Sequence, residues 1–190
     1  MFQLIKPDSE DQSVVPDNLR VFLAGSIDNG DTVPWADGVA AQLTEFDASV
    51  FNPLREEWFP DLEKRMHEPL FAQQVNWELD NIQAADVVFF NFVAGSVSPI
   101  TLQELGYVLG RAEADTVIVC CPDGFWRKGN VEIMCARSHI AVHNNLSDAV
   151  AELRSRLAVH NNLSDAVAEL RSRLAEHQRI KEWLKTHSGK

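Results

Sequence analysis

Hydrophobic residues in this chain of 190 residues alternate between short apolar runs and segments in which they recur every three or four positions. A short apolar run predicts a buried strand, and the wider spacing predicts an amphipathic helix. Strands are predicted over 19–24, 49–53, 86–93 and 116–121, with a weaker strand inside 133–142. Helices are predicted over 35–46, 71–85, 100–112 and the C-terminal region, with a long loop over 54–69. The first 17 residues are predicted to form a short arm.

The alternation of strands and helices predicts an α/β fold with a parallel sheet covered on both faces. We expect a flavodoxin-like or Rossmann-like three-layer sandwich, with strand order 2-1-3-4-5 and a C-terminal helical extension. Such sheets bind ligands at the carboxyl ends of their strands, where the strand order reverses. That point lies between the first and third predicted strands. The loops that begin at Gly25 and Gly95 are therefore the expected walls of the site.

The C-terminal region contains an internal duplication. Residues 141–157 and 158–174 both read AVHNNLSDAVAELRSRL. Seventeen residues turn a helix by about 1700°, roughly 100° short of five full turns, so one straight helix presents the two copies on different faces. We expect one copy to pack on the domain and the other to extend from it, with a helix break at Asn161-Asn162; one continuous helix is the alternative. Residues 1–143 form the predicted α/β domain, and 144–190 the helices packed on it.

Composition excludes several classes of function. A net charge of −11 argues against a nucleic-acid polymer as partner. The sequence has no run of about 18 apolar residues, so a membrane span is not expected. Its N-terminus also lacks the pattern of a secretory signal. The three cysteines favour a reducing cytoplasm. Without HxH, GxGxxG, P-loop or GxSxG patterns, neither a metal nor a cofactor is expected.

Two glutamates are the strongest candidates for chemistry. Glu104 falls about one turn into the helix after the third strand, where the helix dipole is expected to favour its ionised form. Glu78 lies on the preceding helix. Two carboxylates beside a sugar suit glycosidic chemistry, since one can attack the anomeric carbon while the other handles the proton of the leaving base.

Other candidates for substrate binding follow the predicted strands or flank a helix start, where hydroxyl and backbone N–H groups can hold a sugar hydroxyl or a phosphate. A structural role is the alternative for each of them. The aromatic and polar segment 125–130 is a candidate pocket edge, and Trp35 or Trp58 can stack on a base. The candidate set is Gly25, Ser26, Trp35, Asn52, Arg55, Ser96, Ser98, Thr101 and Trp126.

Several motifs resemble those of the nucleoside 2-deoxyribosyltransferase-like proteins. They are AGS after the first strand, the NWELDNI–AAD segment and SPITLQELGY, within about residues 21–135. The resemblance implies that Glu104, in the ELG motif, is a nucleophile that forms a covalent deoxyribosyl intermediate. It also implies that Glu78 assists the base, and that a neighbouring subunit completes the pocket. Where studied members carry an aspartate six residues before the nucleophile, this chain has Ser98.

Two functional hypotheses follow. The first is an enzyme that transfers or hydrolyses the N-glycosidic bond of a nucleoside or nucleotide through Glu104, acting as a homo-oligomer in the cytoplasm. The second is a non-catalytic protein that binds a nucleotide or an ADP-ribose-like ligand. Ser98 and the duplicated C-terminus motivate the second.

Overall fold

A computed structural model describes residues 1–27, 34–56, 62–111 and 116–187. Within them the chain forms one six-stranded parallel sheet in the order β1-β3-β2-β4-β5-β6. The strands are β1 (Gln3–Ile5), β2 (Leu19–Gly25), β3 (Ala48–Phe51), β4 (Val87–Asn91), β5 (Val117–Cys120) and β6 (Val142–His143). The helices are α1 (Trp35–Ala41), α2 (Pro69–Ala84), α3 (Pro99–Leu109), α4 (Lys128–Arg137) and α5 (Leu146–His187).

Two apolar cores cover the two faces of the sheet. Side chains alternate along β2, so that Phe22 contributes to one core while Val21 and Leu23 contribute to the other. The first core includes side chains of α2, α3 and α4, and the second those of α1 and α5. Residues on both faces of the central strands are buried, as the apolar run 86–93 predicts. The three-layer α/β fold is confirmed.

The five predicted strands lie in the predicted order, but the sheet has a sixth strand. Gln3–Ile5 forms β1 and pairs in parallel with Ser49–Phe51, so the expected arm is an edge strand. Its three residues are too few to show a strand period. The other error concerns 133–142: the first half of this segment belongs to helix α4, and the strand β6 begins only at its last residue, Val142.

Helix α5 runs without interruption for 42 residues and contains the first copy from Leu146 onward and the whole second copy. The expected break at Asn161-Asn162 is wrong. In the first copy, Ala149, Val150, Leu153 and Leu157 are buried in the second core. The second copy extends beyond the domain with its large apolar side chains exposed. Among the described residues, no helix is both long enough and apolar enough to cross a lipid bilayer.

Candidate functional site

A cavity of about 650 Å³ lies at the carboxyl ends of β2 and β4, between the loops that follow the strands and helices α2 and α3. The chain passes from β2 to β3 on one side of β2 and then to β4 on its other side, so the order of the strands reverses here. This is the location that the sequence predicts for a ligand site. Six of the candidate residues line this cavity: Gly25, Arg55, Glu78, Ser98, Thr101 and Glu104. Most of the remaining wall is apolar and includes Ile27, Leu62, Leu70, Phe71, Val75 and Ile100.

Glu104 is carried by α3, which begins at Pro99 and buries Leu105 and Val108 in the first core. Burial of its carboxyl, together with the negative charge of Glu78, raises the pKa of Glu104 to about 8. Burial and the charge of Glu78 therefore outweigh the expected preference of the helix dipole for the ionised form. Glu104 is the sixth residue of the helix, and the dipole effect fades within the first turn.

Glu78 is held on α2 by a short chain of hydrogen bonds. Arg55 Nε donates to Gln74 Oε1 (2.6 Å), and Gln74 Nε2 donates to Glu78 Oε1 (2.7 Å) and to the carbonyl of Pro53 (2.9 Å). Burial raises the pKa of Glu78, and the Gln74 hydrogen bond and the Arg55 charge partly offset this effect. Of the two carboxyls, Glu78 therefore ionises first. A proton shared by the pair at neutral pH resides mainly on Glu104.

A cluster of three buried serine hydroxyls lies at the N-terminus of α3. Ser26 Oγ lies 2.8 Å from Ser96 Oγ and 2.6 Å from Ser98 Oγ, and the last two are 2.9 Å apart. Ser98 has left-handed backbone angles (φ 42°, ψ 53°) although Pro99 follows it, a combination that costs conformational energy. Ser98 lines the cavity, whereas Ser26 and Ser96 lie outside its wall. The cluster therefore contributes one uncharged side chain, that of Ser98, to the cavity wall.

Comparison with known proteins identifies the family. A family model described as nucleoside 2-deoxyribosyltransferase like matches residues 18–125, more than half of the chain. The chain belongs to the nucleoside 2-deoxyribosyltransferase-like family. The matched segment contains every residue of the cavity wall, while α4, β6 and α5 lie outside it. A comparison with curated proteins gave no significant match.

The AGS motif of this nucleoside 2-deoxyribosyltransferase-like chain owes its glycine to close packing. A Cβ on Gly25 would lie 2.4 Å from Trp35 Cζ2 and 2.5 Å from the carbonyl oxygen of Asn91. Thr101 Oγ1 donates to the carbonyl of Gly25 (2.9 Å) and so ties α3 to the end of β2. Both residues line the cavity, where these contacts hold its walls together.

Three predicted aromatic or amide contacts lie away from the cavity of this family member. Trp35 is buried against Phe89, and its Nε1 donates to the carbonyl of Ser26 (3.0 Å). Asn52 is buried and bonds to Asp37 and to the backbone of Leu54. Trp126 is 54 % exposed and donates to the carbonyl of Val97 (3.0 Å). All three have structural contacts, and Trp58 lies outside the described residues.

Gln74 and Lys64 line the cavity but were not among the candidates. The signal for Gln74 was available, since it precedes Glu78 by four residues and residues at this spacing share one face of a helix. Lys64 lies in the segment before α2, which has no regular period. No sequence pattern could place it in the wall.

Proposed function

We propose that this nucleoside 2-deoxyribosyltransferase-like protein cleaves or exchanges the N-glycosidic bond of a 2-deoxynucleoside or its nucleotide, with Glu104 as nucleophile. The observation that carries this proposal is the meeting of two carboxyls in one cavity at the reversal of strand order. Carboxyl pairs with unequal pKa values are the arrangement that glycosidic chemistry uses. The apolar wall suits a flat base, which leaves the carboxyls to face the sugar.

In the first step, a Glu104 oxygen forms a bond to C1′ as the bond between C1′ and the base nitrogen breaks. The electron pair of the broken bond goes to the base, which takes a proton from Glu78. In the second step, Glu78 removes a proton from water or from an acceptor base, which attacks C1′ and releases Glu104 as a carboxylate. Positive charge that develops on the sugar is stabilised by the ionised carboxylate beside it.

This mechanism needs Glu104 ionised and Glu78 protonated. The pair holds one proton between the raised pKa of Glu78 and a pH of about 8, and the proton then prefers Glu104. The reactive arrangement is thus the less populated one of the singly protonated pair. Substrate can favour it when the leaving nitrogen approaches Glu78 and the cationic sugar approaches Glu104.

The first experiment replaces Glu104. Incubation with deoxyinosine and adenine, followed by chromatography, should yield deoxyadenosine and hypoxanthine if transfer occurs. Hypoxanthine released without adenine would indicate hydrolysis. Glu104→Gln should reduce either rate by on the order of 10³-fold or more, because an amide is a poor nucleophile. Gln103→Ala, an exposed neighbour on the same helix, is the matched control and should leave the rate unchanged. Full activity of Glu104→Gln would refute the mechanism.

A pH profile tests the two roles separately. We expect kcat/KM to rise as the pair loses its first proton and to fall as it loses the second, near pH 8. In Glu78→Gln the proton donor is absent, so activity depends only on ionisation of Glu104. The falling limb should therefore become a rising one. Its midpoint should lie below 8, because the repulsion from Glu78 is gone while burial remains. A falling limb that survives in Glu78→Gln would contradict these roles.

The covalent intermediate provides the most direct evidence. A 2-fluoro-2-deoxynucleoside slows the second step more than the first when a glycosyl-enzyme ester forms. Mass spectrometry should then find one sugar attached to the peptide that contains Glu104, and none in Glu104→Gln. Attachment at another residue would move the nucleophile elsewhere.

The second candidate function is ligand binding without turnover. Two observations favour it: Glu104 is mainly protonated at neutral pH, and Ser98 stands where a family aspartate is expected. This candidate predicts a nucleotide or ADP-ribose-like ligand that binds with no product at any pH. The same chromatographic assay separates the two functions.

A further inference from the structure

We infer that the substrate carries an anionic group, a phosphate on the 5′ position of its sugar, and that Arg55 and Lys64 bind it. The inference rests on the proposed function and names the substrate class of that site. It assigns an anion-binding role to the part of the cavity wall formed by the segment between β3 and α2.

The first observation is an unsatisfied donor. Arg55 lines the cavity, and its guanidinium is anchored from one edge by Gln74. Its Nη2 atom is shielded from solvent and has no acceptor among the described residues. A buried donor without a partner is costly and uncommon, so its presence in a cavity wall points to a ligand oxygen. The planar guanidinium fork matches the geometry of a phosphate.

The second observation is the charge of the cavity wall. Among the described residues that line it, the cations are Arg55 and Lys64 and the acids are Glu78 and Glu104. Burial and the charge of Glu78 raise the pKa of Glu104 to about 8, which favours its neutral form at neutral pH and reduces the negative charge that the two cations face. Ser98 adds no charge where an aspartate would add a negative one. Two cations in the wall of a cavity, on a protein of net charge −11, favour an anionic ligand there.

The third observation concerns Lys64 itself. Its ammonium has no hydrogen bond or ion pair with another described residue, whereas its neighbours Glu63 and Arg65 pair with each other at 3.8 Å. Lys64 and Arg55 both lie in the connection between β3 and α2, and both line the cavity. A flexible ammonium and an anchored guanidinium in the wall of one cavity can donate to the same phosphate.

The test measures the ratio of the dissociation constant of a nucleoside to that of its monophosphate. Calorimetry gives the dissociation constants of deoxyadenosine, its 5′-monophosphate and its 3′-monophosphate, with Glu104→Gln as background so that no turnover occurs. We expect the 5′-monophosphate to bind about 10- to 100-fold more tightly than the nucleoside, as charge-assisted hydrogen bonds provide. The 3′-monophosphate should show no such gain. When Lys64→Ala or Arg55→Lys is combined with Glu104→Gln, each should reduce the preference for the 5′-monophosphate by about tenfold. Arg65→Ala, the matched control, should preserve this preference.

Equal binding of the nucleoside and its 5′-monophosphate, or a ratio that both substitutions leave intact, would overturn the inference and leave the proposed function standing. A preference for the 3′-monophosphate would also overturn it, because the anion would sit at the other end of the sugar. Failure of the proposed function would give a different result: the wild-type protein would cleave no glycosidic bond. The binding ratio still decides the inference in that case.

Discussion

The two copies of the 17-residue repeat have one sequence and two structures. In the first copy, Val142–His143 is strand β6, a bend follows, and α5 begins at Leu146. In the second, the whole copy is helix, including the equivalent Val159 and His160. The first copy pairs β6 with β5 and buries its apolar side chains, whereas the second has no strand beside it. Tertiary contacts, and not local sequence, decide the structure of these residues.

Helix geometry explains why only one copy is buried. Along one straight helix the second copy is displaced by about 25 Å and rotated by about 100° from the first. Its apolar side chains therefore point away from the face that packs on the sheet. Leu153 is fully buried, while Leu170, its equivalent, is 59 % exposed. Identical residues thus become a core in one place and a surface in the other.

The largest expected difference between the copies is in stability. Leu153→Ala should lower the free energy of unfolding by about 2–5 kcal/mol, because it leaves a cavity in a packed core. Leu170→Ala changes the same residue in the same sequence and should alter it by less than about 0.5 kcal/mol. Denaturant unfolding of both variants measures the difference. If Leu170→Ala cost as much as Leu153→Ala, the exposed face of the second copy would have to be buried against another molecule in solution.

The second expected difference concerns a charged pair and depends on pH. His143 Nε2 lies 2.5 Å from Glu152 Oε2, because the strand and bend bring the histidine back over α5. In the second copy, His160 and Glu169 lie nine residues apart on one helix, and His160 contacts the carbonyl of Asp17 instead. Burial alone would raise the pKa of Glu152, but the hydrogen bonds from His143 and Arg156 outweigh it and lower the pKa.

A carboxyl with a lowered pKa stabilises the fold above its ordinary pKa, and loses that contribution as pH falls through its folded value. Glu152→Gln should therefore cost roughly 0.5–1 kcal/mol of unfolding free energy at pH 7, and the deficit should disappear in acid. Glu169→Gln, whose carboxylate pairs with Arg173 in solvent, should cost less at every pH. Equal pH-dependent losses in the two variants would contradict the assigned role of His143.

The same contrast explains how much could be predicted from sequence. The central strands were predictable because the run 86–93 is apolar except at Asp86 and Asn91, and this constrains the sheet and the position of its cavity. Strand β1 was not, and β6 was predicted only to within the segment 133–142, because both strands form only against a neighbour, β3 or β5. Glu78 and Glu104 were found from motif and helix position. The raised pKa of Glu104 could not be predicted from sequence, because it depends on burial and on Glu78, which lies on another helix.

The smallest expected effect is that of removing one copy. Because the copies are identical, deletion of 141–157 and deletion of 158–174 produce the same chain of 173 residues (190 − 17). The remaining copy should form β6 and the packed part of the helix, since the sheet face that receives it is unchanged. The cavity wall contains no residue of α5. We therefore expect the free energy of unfolding to change by less than about 1 kcal/mol and kcat/KM by less than about twofold.

Light scattering on both chains would sharpen this result, because a homo-oligomer remains a prediction for this protein. The second copy carries an exposed apolar stripe, formed by Val159, Leu163, Val167, Leu170 and Leu174. In the described part of the chain, the two buried cores contain no side chain of the second copy, so we expect its loss to leave the number of chains per particle unchanged. If the shorter chain instead changed its oligomeric state and lost activity while remaining folded, the duplicated helix would have to support a neighbouring subunit's site.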